Sequence, residues 1–329
     1  MCMRNLKALA TAAAMVTLIA AKPASAGDPE APVQAVDAMN KLFGAHPGFR
    51  ANHAKGVVAE GSFKASPEAA ALSKAAIFSG AEIPVIVRFS DATGVPNIPD
   101  GSANANPHGV AIKYRLPGGD ETDMVINSLK FFPVANVEDF RDLLVALGDS
   151  PPGAPKPTKF EQFAVAHPSV AAAGATAKTP ASFADEEYFG IDAFVLVNKA
   201  GAKQAVRYQL KPAKLVHLDS AEAAKKAPDF LIDELSERLA KGPATFRLQA
   251  QLASPQDQTK DPSKPWPDDR KIVDLGVLTL DKVSPDSLAA QKGLSFTPGR
   301  IIDGIELSDD PLVESRDAAY AVSVSRRNP

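Results

Sequence analysis

Five histidines, four tyrosines and a single cysteine carry most of the reactive chemistry this 329-residue chain has to offer. The histidines are His46, His53, His108, His167 and His217, and no two stand four apart as a helical zinc site requires. The cysteine is Cys2, at the extreme N-terminus, so thiolate metal sites, cysteine nucleophiles and disulfides are excluded from the rest of the chain. Neither a phosphate-binding glycine loop nor a serine-nucleophile elbow is present. The adjacent acidic pairs Glu186-Glu187, Asp268-Asp269 and Asp309-Asp310 read as solvated loop charges. One spacing stands out near the C-terminus, where Arg316 precedes Tyr320 by four residues. On a helix the two share a face, and a guanidinium that keeps its proton can donate to a phenolate oxygen.

An ordered series of short segments goes further. Arg50-Ala51-Asn52-His53-Ala54-Lys55-Gly56 comes first, then Val87-Arg88-Phe89-Ser90, then Pro107-His108-Gly109-Val110-Ala111-Ile112-Lys113-Tyr114. Asp123-Met124-Val125-Ile126-Asn127, Trp266-Pro267, Phe296-Thr297-Pro298-Gly299-Arg300, Gly304-Ile305-Glu306 and Arg316-Asp317-Ala318-Ala319-Tyr320 follow. In this order they resemble the motifs of the haem catalase family, and the likeness is closest to its small catalase-related peroxidases. The long arms of the large catalases have no counterpart here.

That resemblance implies a set of roles. Tyr320 would be the axial ligand of the iron of haem b, with Arg316 donating to its oxygen. His53 would be the distal acid–base residue, moving a proton between the two oxygens of a bound peroxide. Ser90 would fix the tautomer of His53, and Asn127 would hydrogen-bond the peroxide. Arg50, Arg88 and Arg327 would lie at or near the two propionates, and Phe140 would stack on the haem face. The implied activity is a haem-dependent peroxidase that reduces hydrogen peroxide or organic hydroperoxides with a small-molecule electron donor, with weak catalase activity beside it. Two other readings fit the same pattern. One is an isomerase of fatty-acid hydroperoxides on the same fold; the other is a non-catalytic periplasmic haem-binding protein. The chain departs from the family at Asn52 (apolar in the family), His108 (an arginine), Ser128 (an asparagine), Leu129-Lys130 (Thr-Pro) and Ser325 (an arginine).

Several elements must position these residues. The N-terminus carries Arg4 and Lys7, an apolar run from Ala8 to Ala21 and Ala24-Ser25-Ala26, the pattern of a cleavable export signal over residues 1–26. The run is too short to span a bilayer. A periplasmic protein with no membrane contact after cleavage is the expectation. Residues 27–329 read as a single domain of ordinary globular composition, 45% hydrophobic and 23% charged. A net charge of -3 without a basic block argues against nucleic-acid binding. Strands are expected over 83–90, 109–116, 122–127, 191–198, 204–210, 245–252 and 272–280, with helices over 35–43, 137–147 and 220–241. The helix over 220–241 would be capped by Ser220 and stopped by Gly242-Pro243. Ser150 to Thr158, with four prolines, reads as an exposed connection. Successive hairpins with inserted helices predict an α+β fold, and the resemblance makes it an antiparallel barrel of about eight strands with helices outside.

Overall fold

The computed structural model describes residues 28–327, so the proposed export signal lies outside the described residues. Four long strands run antiparallel to one another in sequence: β1 (Gly56–Ala65), β2 (Glu82–Asp91), β3 (His108–Arg115) and β4 (Glu121–Asn127). A two-residue ladder joins β5 (Thr179–Pro180) to β9 (His217–Leu218). The ring continues from β4 through β6 (Tyr188–Phe189), β8 (Lys203–Pro212), β10 (Ala244–Leu252) and β11 (Ile272–Val283), which pairs back onto β1. These eight strands close an antiparallel barrel, sealed by the β8–β10 pairing. Two short strands, β7 (Phe194–Val197) and β12 (Ile305–Leu307), extend the sheet from β8.

Alternation decides which side chains enter the barrel. In β2, Ile83, Val85, Val87 and Phe89 join the central core, which leaves Arg88 and Ser90 on the outer face. In β3, Val110, Ile112 and Tyr114 point in, so Gly109 and Ala111 point out; in β4, Met124 and Ile126 point in, so Val125 and Asn127 point out. Inside, Phe89 stacks on Phe183 with centroids 5.5 Å apart and on Phe246 at 6.1 Å. The same ring that fills the core therefore locks its neighbours Arg88 and Ser90 outward.

Helices cover the barrel: α1 (Ala31–Phe43), α2 (Pro67–Leu72), α3 (Val137–Gly148), α4 (Lys159–Ala166), α5 (Pro168–Gly174), α6 (Ser220–Ala223), α7 (Phe230–Lys241), α8 (Ser287–Gly293) and α9 (Leu312–Arg327). Helices α1, α3 and α9 pack on one another over the outer wall of β2, β3 and β4. Among the described residues, no helix is long and apolar enough to cross a membrane.

The expected elements appear, with differences that have local causes. Ser220 to Lys241 is two helices, because Pro228 lacks an amide proton and breaks the ladder. The cap of the first is Asp219, whose carboxylate accepts from the Glu222 amide at 2.8 Å, and Ser220 is already helical. The strand over 191–198 shortens to β7, since Asp192 leaves the ladder to pair with Arg316. Strand β1 is absent from the expectations, because glycine and alanine stand where large alternating side chains would mark it. The Pro-rich connection is irregular and mostly exposed, and strands before and after it share the barrel.

Phe89 is fully buried, so Phe89→Ala should cost about 3–5 kcal/mol of stability. Urea unfolding followed by circular dichroism would measure it.

Candidate active site

A cavity of about 1230 Å³, counted with its open mouth, lies between the outer wall of the barrel and helices α1, α3 and α9. Nine positions singled out from the sequence line it: Arg50, His53, Arg88, Ser90, Asn127, Phe140, Arg316, Tyr320 and Arg327. They come from five separate stretches of chain. The barrel contributes Arg88, Ser90 and Asn127, the loop before β1 contributes Arg50 and His53, α3 contributes Phe140, and α9 the rest.

His53 sits in left-handed backbone, φ +56°, where non-glycine residues are uncommon. Its amide donates to Asn52 Oδ1 at 3.0 Å, and its carbonyl accepts from Arg88 Nη2 at 2.8 Å. Its ring Nδ1 lies 3.0 Å from Ser90 Oγ, so the expected Ser90 contact exists. The imidazole lies against Gly109, where a Cβ would come within 2.8 Å of His53 Cε1. Only glycine leaves that space. Burial first, and then the charges of Arg88, Arg316 and Arg50, lower the ring's pKa to about 3. At neutral pH the ring is uncharged. With Nδ1 engaged by Ser90, Nε2 is the nitrogen left to take and return a proton.

Asn127 ends β4 with Oδ1 accepting from the Leu129 amide at 2.8 Å. That bond orients the side-chain amide and leaves its two N–H donors for the cavity.

On α9 the spacing of four puts Leu312, Arg316, Tyr320 and Val324 along one stripe facing the cavity. Arg316 Nη2 donates to Tyr320 Oη at 3.2 Å and to the Val125 carbonyl at 3.1 Å. Arg316 Nη1 pairs with the buried carboxylate of Asp192. Burial opposes the Arg316 charge, but Asp192 and Tyr320 outweigh it and raise its pKa.

Arg50, Arg88 and Arg327 form a second group. Arg50 Nη2 and Arg327 Nη2 both donate to the Leu294 carbonyl, at 2.6 and 2.8 Å. Burial, then Arg88 and Arg327, lower the Arg50 pKa to about 8; burial and Arg327 lower Arg88 to about 9. Guanidinium groups do not give up their proton at pH 7, so the cluster holds mutual repulsion instead. No carboxylate lines the cavity among the described residues. Phe140 is half-buried and packs on Phe132, centroids 5.3 Å apart, while also reaching the cavity wall.

The sequence profile described as Catalase matches residues 38–328. The chain belongs to the catalase family. It is 38% identical over 303 residues to a catalase-related peroxidase of Mycolicibacterium paratuberculosis, covering 90% of this chain and 94% of that one. It is 36% identical to a catalase-related peroxidase of Synechococcus elongatus, covering 90% and 88%. A fungal catalase crystal structure superposes with a TM-score of 0.75 at 23% identity, over 85% of this chain and 59% of the other. A bacterial catalase gives 0.74 at 24% identity, covering 85% and 57%. The chain thus spans under three-fifths of the length of those two catalases.

The departures from the catalase pattern find places. Asn52 turns its amide oxygen back onto the His53 backbone. His108 points into the barrel beside Asp91, Nε2 to Oδ1 3.5 Å, and does not line the cavity. Ser128 Oγ accepts from the His108 amide at 3.0 Å, and Leu129 supplies the backbone N–H that orients Asn127. Ser325 is exposed. Reading the sequence missed Asp192 and Gln291; a lone acid at a strand start and a glutamine in a short helix carry no signal of their contacts.

The His53 ring titrates near 3 in the fold against about 6.5 in an unfolded chain. Between those values the unfolded chain binds the extra proton. The contribution of His53 is therefore complete above pH 6.5 and is lost as the pH falls toward 3. The stability of wild-type protein relative to His53→Gln should shrink from pH 7 to pH 4 in urea titrations. A pH-independent difference would contradict the low pKa.

Proposed function

We propose that this member of the catalase family, an oxidoreductase acting on peroxide, works as a haem b peroxidase on hydrogen peroxide or small organic hydroperoxides. The observation that carries this reading is one cavity joining a neutral imidazole held against the barrel wall to an arginine-bonded phenol on α9. The relatives named catalase-related peroxidase, matched over nearly their whole length, support it.

The residues fit haem. Its two propionates are the anions that a carboxylate-free cluster of Arg50, Arg88 and Arg327 calls for. Tyr320 would hold the iron through Oη, with Arg316 offsetting the negative charge of the phenolate. The only cysteine is Cys2, so the haem would be held without thioether bonds. When bound, haem supplies the ferric iron that accepts peroxide and stores the oxidising equivalents released on O–O cleavage.

The chain's own residues move the proton. His53 Nε2 takes it from the inner peroxide oxygen and delivers it to the outer one, which leaves as water. Ser90 keeps Nδ1 engaged throughout, so the ring does not turn. Asn127 donates its amide N–H to the peroxide and holds it over the imidazole. A small-molecule donor then returns the electrons. A haem carrier would need the phenol and the arginines but neither His53 nor Asn127. We propose the periplasm as the working compartment, on the export pattern of residues 1–26; intact mass of protein from the native host should show them removed.

Tyr320→Phe should weaken haem binding and remove the phenolate-to-iron charge-transfer band in an optical titration. His53→Ala should bind haem normally yet slow the first optical change after mixing with peroxide by about 10² to 10⁴. Asn127→Ala should cost less. Stopped-flow mixing decides between readings: cleavage at wild-type speed in His53→Ala would favour the carrier. Conversion of a fatty-acid hydroperoxide to an isomer without donor consumption would favour the isomerase.

A further inference from the structure

Arg88 is almost wholly buried, and its guanidinium is mostly spent inside the protein. Nη2 donates to the carbonyls of His53 at 2.8 Å and Ala54 at 3.3 Å. Nε donates to Gln291 Oε1 at 2.8 Å. That leaves Nη1 for an anion in the cavity, a single nitrogen rather than a bidentate fork. The buried amide of Gln291, on α8, is itself tied by Nε2 to the carbonyls of Gly56 and Ser287, both at 3.0 Å. Gly56 admits the guanidinium, since a Cβ there would stand 2.7 Å from Arg88 Nη2.

The residue at the far end of this chain of bonds is the one that needs holding. Among the described residues, His53 is the only non-glycine residue with positive φ. Such backbone persists where its surroundings over-determine it. Asn52 holds the amide, Ser90 the ring, and Arg88 the carbonyl. Each of the three fixes a different part of the residue.

We propose that Gln291 is a positioning residue for His53, acting through Arg88: it fixes the guanidinium that grips the His53 carbonyl, and so aims the imidazole. The inference rests on the acid–base role of His53 proposed above. Gln291→Leu removes both ends of the amide at similar volume. With haem saturating, it should slow peroxide cleavage by about 10- to 100-fold, the scale of a small misplacement of a catalytic group. Gln291→Glu keeps an acceptor for Arg88 Nε and should recover most of the rate. In a His53→Ala background Gln291→Leu should cost nothing more, because residues acting through one another are not additive. In ligand-free protein the His53 ring resonances should shift in Gln291→Leu and return in Gln291→Glu. Should Gln291→Leu not fold, Gln291→Asn shortens the reach by one methylene and carries the same comparisons.

An equal loss with and without His53, or unmoved ring resonances, would overturn the proposal. The two readings fail differently. If His53→Ala alone cleaves peroxide at wild-type speed, the acid–base role fails. If His53→Ala is slow while Gln291→Leu is fast, only the positioning role fails.

Discussion

The period of two along β2, β3 and β4 is the constraint on which the rest depends. A closed barrel gives each of these strands one face toward the core and one toward the covering helices. Phe89 cannot enter the core without sending Arg88 and Ser90 out, and Val110 and Ile126 do the same for Gly109 and Asn127. A slip of one residue would bury an arginine in the core and present a phenylalanine to the cavity. Stability and site geometry are therefore set by the same register. The core aromatics hold the cavity-facing side chains in position as firmly as they hold the barrel together.

Charge organises the opposite side of the cavity. Four arginines line it and no acid does among the described residues, yet they fall into two groups with different partners. Arg316 is neutralised from behind by Asp192, which leaves its other nitrogen for Tyr320. Among the described residues, Arg50 and Arg327 share the Leu294 carbonyl and no carboxylate lines the cavity beside them, so they stay in excess. A buried positive excess is unstable by itself and favours an anion. Burial first, and then the same field, keep His53 neutral, as the proposed proton transfer requires.

Much of this was legible in the sequence, for reasons that differ by element. Strands β2, β3 and β4 show because bulky inward residues alternate with the outward ones. Strand β1 does not, because Gly56, Ala59 and Gly61 stand where large side chains would signal a strand. The spacing of Arg316 and Tyr320 survives in one dimension because a helix repeats locally. The contacts of Asp192 and Gln291 do not, because each joins segments more than a hundred residues apart. The break at Pro228 is visible in composition but is masked by the strong helical pattern on its C-terminal side.

Helix α9 has a consequence for cofactor capture. Every strand of the barrel precedes it in the chain, so the wall bearing Arg88, Ser90 and Asn127 and the helix bearing Tyr320 belong to separate parts of the sequence. Without α9 in place the cavity would be an open groove on the barrel, since the helix forms one of its sides. A cofactor that needs both walls is gripped only once the helix has docked.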